Sequence, residues 1–122
     1  MTPDETFPKN ERLVKTGDFK KVYEKGVSIR KGALILYSLP NVFKKNRIGF
    51  SLSSRRIRLA ARRAKVKRRL REAYRKNKHM LKKGFDIVIV VRQDVTRSFS
   101  YPKDIERSFI NLSKEAGLLL LG

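Results

Sequence analysis

The spacing of apolar residues predicts a helix near each end of the chain. Thr16 can cap a short helix that stops at Gly26, and its apolar positions are Phe19, Val22 and Tyr23. Ser100 and Pro102 open a last helix. That helix has an inward stripe at i, i+4, i+7 and i+11, formed by Ile105, Phe109, Leu112 and Ala116.

Strands are predicted between these helices. Residues Ala33 to Leu39 carry two alternating apolar sets, which indicates a strand covered on both faces and ended by Pro40. Residues Arg47 to Ser53 alternate more cleanly, with Ile48, Phe50 and Leu52 on one face and Gly49, Ser51 and Ser53 on the other. The β-branched run from Ile87 to Val91 is typical of a central strand.

The remaining segments are predicted to connect these elements within one domain, residues 1–122. Residues Met1 to Arg12 indicate an irregular arm, Asn41 to Asn46 a basic turn, and Asp94 to Ser100 a loop. Residues Leu118 to Leu121 are expected at the end of a docked helix. Together with a helix over Leu59 to Lys78, these segments indicate a single-domain α+β sandwich, for which the order αβββαβα is expected although the pattern marks only two strands before that helix.

Charge changes this picture at one place. Between Arg55 and Lys83 there are fifteen Lys or Arg residues and one acid, Glu72, which is +14 of the total net charge of +20. Because the charge is local, it indicates a patch on a folded body. The partner expected for such a patch is a dense polyanion such as nucleic acid.

The predicted basic helix has one apolar edge. At about 100° per residue, Leu59, Val66, Leu70 and Ala73 share one face, while Lys67 and Arg71 flank it on one side. A solvated basic face is the plain alternative. Like charges four residues apart weaken an isolated helix, so a face kept at that cost favours a ligand. Arg63 projects near the buried stripe and is expected to border the sheet at the edge of a groove.

Aromatic residues give a second, weaker signal. Phe19, Tyr23 and Tyr37, with the face of Gly49, Ser51 and Ser53, could line a cleft that stacks single-stranded bases, or they could simply be core.

Catalytic machinery is not evident. His79 is the only histidine, and no carboxylates cluster as metal ligands, although Asp86 or Asp94 could touch a hydrated ion. The chain has no cysteine, no apolar run of about 20 residues and no secretion signal, so a cytoplasmic protein without a membrane partner is expected.

The residues of the basic helix resemble a known family. The stretch from Arg63 to Glu72, Arg-Ala-Lys-Val-Lys-Arg-Arg-Leu-Arg-Glu, resembles the signature of the bacterial ribonuclease P protein subunit. That signature runs Arg-Asn-Arg, an aliphatic residue, Lys-Arg, two variable residues, then Arg-Glu or Arg-Gln. The resemblance extends over almost the whole chain, through Arg12-Leu13, Asp18-Phe19, Val22-Tyr23, Leu36-Tyr37 and Arg47-Ile48-Gly49 with Ser51.

The resemblance implies a fold and a function. The fold would contain a left-handed βαβ crossover, like the second domain of ribosomal protein S5. The protein would bind the catalytic RNA of ribonuclease P and the 5′ leader of precursor transfer RNA. It would assist Mg²⁺-dependent removal of the leader, with Mg²⁺ bound mainly by the RNA and no catalytic residue on the protein.

The resemblance also implies two sets of site residues. Those expected to bind the catalytic RNA are Arg55, Arg56, Arg62, Lys65, Arg68, Arg69, Arg71 and Arg75. Those expected to line the leader cleft are Phe19, Tyr23, Tyr37, Ser51, Arg63 and Lys67. Ala64 and Lys65 depart from the family's Asn and Arg, Arg58 stands where a Gly is common, and the region of Ser53 and Ser54 is one residue longer.

Two other classes compete with this interpretation. A ribosomal or other structural RNA-binding protein explains the charge equally well, but it does not explain a separate aromatic cleft. A DNA-binding or membrane-surface module is disfavoured, because no second helix lies at helix-turn-helix spacing and the apolar stripe is needed for the core.

Overall fold

The regular elements follow the expected order αβββαβα, but the residue pattern did not locate the first strand, Val27–Lys31. A computed structural model describes residues 5–92 and 102–120, so the predicted loop from Asp94 to Ser100 lies outside the described residues. The elements are α1 (Thr16–Lys25), β1 (Val27–Lys31), β2 (Leu34–Pro40), β3 (Arg47–Leu52), α2 (Ala60–Asn77), β4 (Phe85–Val91) and α3 (Pro102–Glu115). Short 3₁₀ turns cover Lys9–Glu11 and Lys78–Met80.

The four strands form one mixed sheet in the order β1-β2-β4-β3. β4 is central, as its β-branched run predicted, and it pairs antiparallel with β2 and parallel with β3. A parallel neighbour requires a crossover, and α2 supplies it between β3 and β4. The left-handed sense of this crossover stays a prediction from the family resemblance.

One face of the sheet carries the main core. Leu36, Ile48 and Ile89 from the strands are almost fully buried, as are Leu70 of α2 and Phe109 of α3. The two helices therefore bury their apolar stripes against each other and against this face, as the helical spacing predicted.

The opposite face of the sheet is only partly covered, by α1. Val22 of α1 and Val88 of β4 are buried together there, while Phe19 and Tyr37 are half-buried beside them. The strand register places Tyr37, Val88 and Gly49 in one row. The next row on the same face contains Ile35, Val90 and Ser51.

Three local details differ from the sequence expectations. Leu59 does not belong to the buried stripe, because it precedes the first turn of α2 with 58% of its surface exposed. Ile57 is buried instead, with 0% of its surface exposed. Gly26 does end α1, but its φ is −80°, so no left-handed conformation is involved. A Cβ at this position would lie 2.5 Å from the carbonyl oxygen of Val22 and 2.9 Å from that of Ser38, so close packing requires the glycine.

Leu118, Leu119 and Leu120 are not the end of a helix, contrary to expectation, and Leu121 lies outside the described residues. Gly117 adopts φ 73° after α3, and the amide of Leu118 donates to the carbonyl of Ser113 at 2.9 Å. This geometry is a helix C-cap that turns the chain back. Leu118 then enters the core and Leu119 forms a β-bridge with Leu81.

Candidate nucleic-acid interface

The outward face of α2 presents most of the predicted cations to solvent. Its sequence contains mainly Ala, Arg, Lys and Leu, which are good helix formers, so the helix forms despite its charge. Arg62, Lys65 and Arg68 are exposed on it, and Arg69 is half-buried. Arg55 and Arg56 are exposed in the segment that leads into the helix. These six residues are here called the outer face.

Arg75 is less available than its neighbours. Its guanidinium donates to both carboxylate oxygens of Glu72, at 3.1 and 2.7 Å, and to the carbonyl of Glu5 at 3.0 Å. The hydrogen bond from Arg75 lowers the pKa of Glu72, and Glu72 in turn raises the pKa of Arg75. Arg75 therefore joins α2 to the N-terminal arm, and its predicted contact with RNA would have to compete with these bonds.

Arg63 lies at a different place from the one expected. Its guanidinium donates to the carbonyls of Ile57 at 2.7 Å and Arg58 at 3.0 Å. These bonds satisfy backbone acceptors just before α2, so they stabilise the turn into the helix. Arg63 does not border the groove described next, and its role in leader binding stays a prediction.

A groove of about 220 Å³ lies beside β3 at the edge of the sheet. Lys67 and Arg71 of α2 and Phe19 of α1 are among the residues that line it. The backbone of Leu13 runs along β3, with its amide donating to the carbonyl of Ile48 at 2.9 Å. The groove therefore combines two exposed cations with an aromatic ring. It groups Arg71, expected on the outer face, with the predicted cleft residue Lys67.

The predicted aromatic residues do lie together. The ring centroids of Phe19 and Tyr23 are 6.4 Å apart, and those of Tyr23 and Tyr37 are 5.0 Å apart in an edge-to-face arrangement. Tyr23 is 38% exposed, while Phe19 and Tyr37 are half-buried. Phe19 and Tyr37 pack against the small core under α1 and all three residues remain at least partly exposed, while their role in stacking bases stays a prediction. Ser51 lies on the same sheet face, one row away.

Phe19 is held at the junction of the groove and the aromatic residues by Gly49. A Cβ at Gly49 would lie 2.4 Å from the Phe19 ring, so the ring rests directly on the backbone of β3. The sequence showed that small residues alternate in β3. It did not show that Phe19 fills the space above Gly49.

The carboxylates offer no metal centre within the part of the chain that the structure describes. No group of three or more His, Cys, Asp or Glu residues is placed to hold an ion there. Asp86 is buried and accepts two hydrogen bonds from Arg47, at 2.9 and 2.7 Å, and one from Asn41 at 2.9 Å. It is therefore a structural ion-pair partner, and the pair raises the pKa of Arg47. Asp94 lies outside the described residues.

The groove also contains residues that the sequence did not single out as site residues. Arg12 and Val14 come from the segment that connects the arm to α1, and Phe50 comes from β3. Arg12 is held by hydrogen bonds from its guanidinium to the carbonyl of Phe7, at 3.2 and 2.8 Å. This segment shows neither helical nor strand periodicity in its sequence, because it is irregular and runs along β3 without forming a helix or strand itself.

Fold and charge together define a small α+β protein whose cations concentrate on one crossover helix and beside a groove. None of the helices in the described ranges is long and apolar enough to cross a membrane. The family model described as Ribonuclease P matches residues 7–117, and the chain therefore belongs to the ribonuclease P protein family. Membership implies a role in transfer RNA processing, within an endoribonuclease that works with ribonuclease P RNA.

Known relatives agree in sequence and in fold. The ribonuclease P protein component of Alkaliphilus oremlandii is 40% identical over 108 residues, covering 88% of this chain and 92% of that protein. A Staphylococcus aureus RNase P protein mutant with defective mRNA degradation activity superposes with a TM-score of 0.82 at 27% identity, covering 91% of this chain and 92% of that one. The RNase P protein of Thermotoga maritima gives 0.77 at 31% identity, covering 86% and 96%. The predicted family and fold class are confirmed.

Proposed function

We propose that this protein is the RNA-binding subunit of ribonuclease P, holding the catalytic RNA on one surface and the 5′ leader of precursor transfer RNA on another. The observation that carries the proposal is the groove along β3. There Lys67 and Arg71 of the basic helix line the same groove as Phe19, which belongs to the aromatic set. Cations for a backbone and rings for bases are thus adjacent, as single-stranded RNA requires.

The outer face of α2 is proposed to bind the catalytic RNA. Its exposed cations include Arg62, Lys65 and Arg68, and arginine suits bidentate contacts with phosphate. Ala61 and Ala64 are exposed between the long side chains, so a phosphate can approach the helix closely. Ala64 provides no side-chain hydrogen bond at the position where the family signature has Asn.

The leader is proposed to follow the groove onto the open face of the sheet. Its phosphates would contact Lys67 and its bases would stack on Tyr23 and Tyr37, whose rings are 5.0 Å apart. Phe19 links the two parts because it belongs to both the groove and the aromatic set. Ser51, one row away on the same face, can add a hydrogen bond.

Catalysis is proposed to reside in the RNA. The carboxylates of the described residues do not form a site that fits Mg²⁺, so in this proposal Mg²⁺ would be held mainly by the RNA. The protein contributes affinity for both RNAs. Purified, RNA-free protein should therefore leave precursor transfer RNA intact, and cleavage by that preparation would contradict the proposal.

The first experiment is to sequence the RNA that co-purifies with the tagged protein. Ribonuclease P RNA is expected; an exclusive yield of ribosomal RNA would instead support a structural RNA-binding protein. The same cells allow the proposed cytoplasmic location to be checked by fractionation, and recovery with the membranes would count against it.

The second experiment tests the cleft in the assembled enzyme. Tyr23→Ala should weaken binding of precursor transfer RNA by roughly 5- to 150-fold, as expected for a lost stacking contact of about 1–3 kcal/mol. Binding of mature transfer RNA, which has no leader, should not change. Tyr23→Phe is the matched control, because it keeps the ring. Equal losses of affinity for substrates with a long leader and without a leader would show that Tyr23 does not contact the leader.

A further inference from the structure

A second and larger pocket, of about 570 Å³, lies at the C-terminal end of α2. It is enclosed by the N-terminal arm, the loop between β2 and β3, and the segment between α2 and β4. We call it the α2-end pocket. It shares no residue with the groove along β3, and neither the outer face nor the leader cleft includes its lining residues.

The charge of the α2-end pocket is positive. Lys44, Lys45 and Lys83 line it, and no carboxylate of the described residues lies within ion-pair distance of their ammonium groups. The one acid in the lining, Glu11, is already neutralised. It lies 3.0 Å from the ammonium of Lys78 and accepts a hydrogen bond of 2.8 Å from the hydroxyl of Tyr74. The three loop lysines therefore offer charge without an internal partner.

The lining of the pocket also has an apolar part. Pro8 and Leu120 line it together with Tyr74, and most of the exposed lining belongs to carbon atoms. Leu120 is exposed even though its amide is fixed by a hydrogen bond to the carbonyl of Met80 at 2.9 Å. A pocket of this size, whose lining combines cations with apolar surface, is complementary to a ligand that has both phosphate and a flat apolar part.

We propose that the α2-end pocket binds one nucleotide of an RNA partner, with its phosphates at Lys44, Lys45 and Lys83 and its base or ribose against Pro8 and Leu120. A simple phosphate site would need the lysines alone and would not need apolar surface. The identity of the RNA rests on the proposed function. The preference for a nucleotide over a bare phosphate does not, so the two can fail separately.

The nucleotide preference is tested on the full chain by NMR titration with uridine 3′,5′-bisphosphate and, in parallel, with inorganic phosphate. Shifts should concentrate at the amides of Lys44, Lys45, His79 and Lys83, and the bisphosphate should bind more tightly. Lys44→Ala/Lys83→Ala should weaken that binding by about tenfold or more, as expected for the loss of charge-assisted hydrogen bonds. Equal affinity for the two probes, or shifts confined to α2 and the β3 groove, would overturn the proposal.

The RNA contact is tested with ribonuclease P RNA. The triple variant Lys44→Ala/Lys45→Ala/Lys83→Ala should make the slope of log K against log salt shallower by about 1–2, since one nucleotide of an RNA chain has two flanking phosphates and each lost phosphate contact contributes about 1. The matched control removes three exposed cations of α3, Lys103, Arg107 and Lys114, and should leave the slope almost unchanged. Equal slopes in both variants would assign the pocket to free nucleotides and overturn the RNA contact. If the parent protein does not bind this RNA, the proposed function fails, while the NMR result stands by itself.

Discussion

At the residue scale, the position of Phe19 depends on a glycine in a neighbouring strand. The ring can border both the groove and the aromatic set only because Gly49 has no side chain beneath it. The backbone of Leu13 closes the same space, since its carbonyl oxygen would lie 3.0 Å from a Cβ at that position. The absence of a side chain at Gly49 thus determines where the Phe19 ring lies in the candidate site.

Gly49→Ala should therefore destabilise the protein by about 1–3 kcal/mol, the usual range for overpacking. The methyl group must displace the Phe19 ring or the backbone of Leu13. The free energy of unfolding in urea measures this change. Gly17→Ala is the control, because nothing lies within 4 Å of a Cβ there and the helical position should gain about 0.4–1 kcal/mol. Equal stability of the two variants would show that Phe19 moves aside without cost.

At the element scale, α2 serves two surfaces. Arg68 lies on the outer face, whereas Lys67 lines the groove. Neighbours in sequence on a helix differ by about 100° in direction, so two adjacent cations can face different partners. The same helix buries Leu70 in the core, which fixes the direction of both.

Removing these two charges should have separable effects. Arg68→Ala should weaken binding of ribonuclease P RNA with little effect on the preference for substrates with a leader. Lys67→Ala should reduce the preference for substrates with a leader and have little effect on binding of ribonuclease P RNA, because Lys67 lines the groove. Each lost phosphate contact should make the slope of log K against log salt shallower by about 1 for the RNA concerned. Filter binding of the RNA and of precursor and mature transfer RNA measures both effects, and identical profiles would contradict the division of surfaces.

Glu72, the single acid of the basic segment, makes a pH-dependent contribution to the stability of the folded protein. Arg75 lowers the pKa of Glu72 in the folded protein, so the ionised form stabilises the fold above the ordinary glutamate pKa. That contribution should disappear as the pH falls through the lowered pKa, below about 4.5. The Glu72 side chain is 45% exposed, so solvent screening keeps the effect small.

Glu72→Gln should accordingly lower the melting temperature slightly at neutral pH and hardly at all near pH 3. Glu24→Gln is a control, since Glu24 forms only an exposed contact of 3.9 Å with Lys20. Thermal unfolding followed by circular dichroism from pH 3 to 7 measures both variants. A constant difference between parent and Glu72→Gln across this range would rule out the ion pair as its source.

At the scale of the whole molecule, the net charge of +20 acts against folding and in favour of binding. Polyanions that bind only the folded state must stabilise it. The +14 segment is consistent with contacts to about five to eight phosphates, which gives a salt slope of roughly −4 to −7 for RNA binding.

Measurements of RNA affinity between about 50 and 200 mM salt test this expectation directly. A slope shallower than about −2 would mean that the basic surface is mostly solvated. Melting temperature should also rise on addition of RNA, because ligand binding to the folded state is linked to stability. An unchanged melting temperature at saturating RNA would contradict the linkage.

Most of the fold could be predicted from the sequence, because its signals are local. The predicted basic helix, Leu59 to Lys78, differs from the observed Ala60–Asn77 by one residue at each end. The strand at Arg47 ends at Leu52 instead of Ser53, and β4 begins two residues earlier than Ile87. Periodicity reports which positions share a face, and these faces became the two sides of the sheet.

The sequence by itself determined the elements, the local concentration of charge and the family, since each depends on residues close together or on a contiguous motif. Only the tertiary structure decided which cations are available. Arg75 meets Glu5 and Lys78 meets Glu11 across more than sixty residues, while Lys67 and Arg71 line one groove together with Phe19. Such partners are set by how the sheet brings distant segments together, and helical spacing contains no information about them.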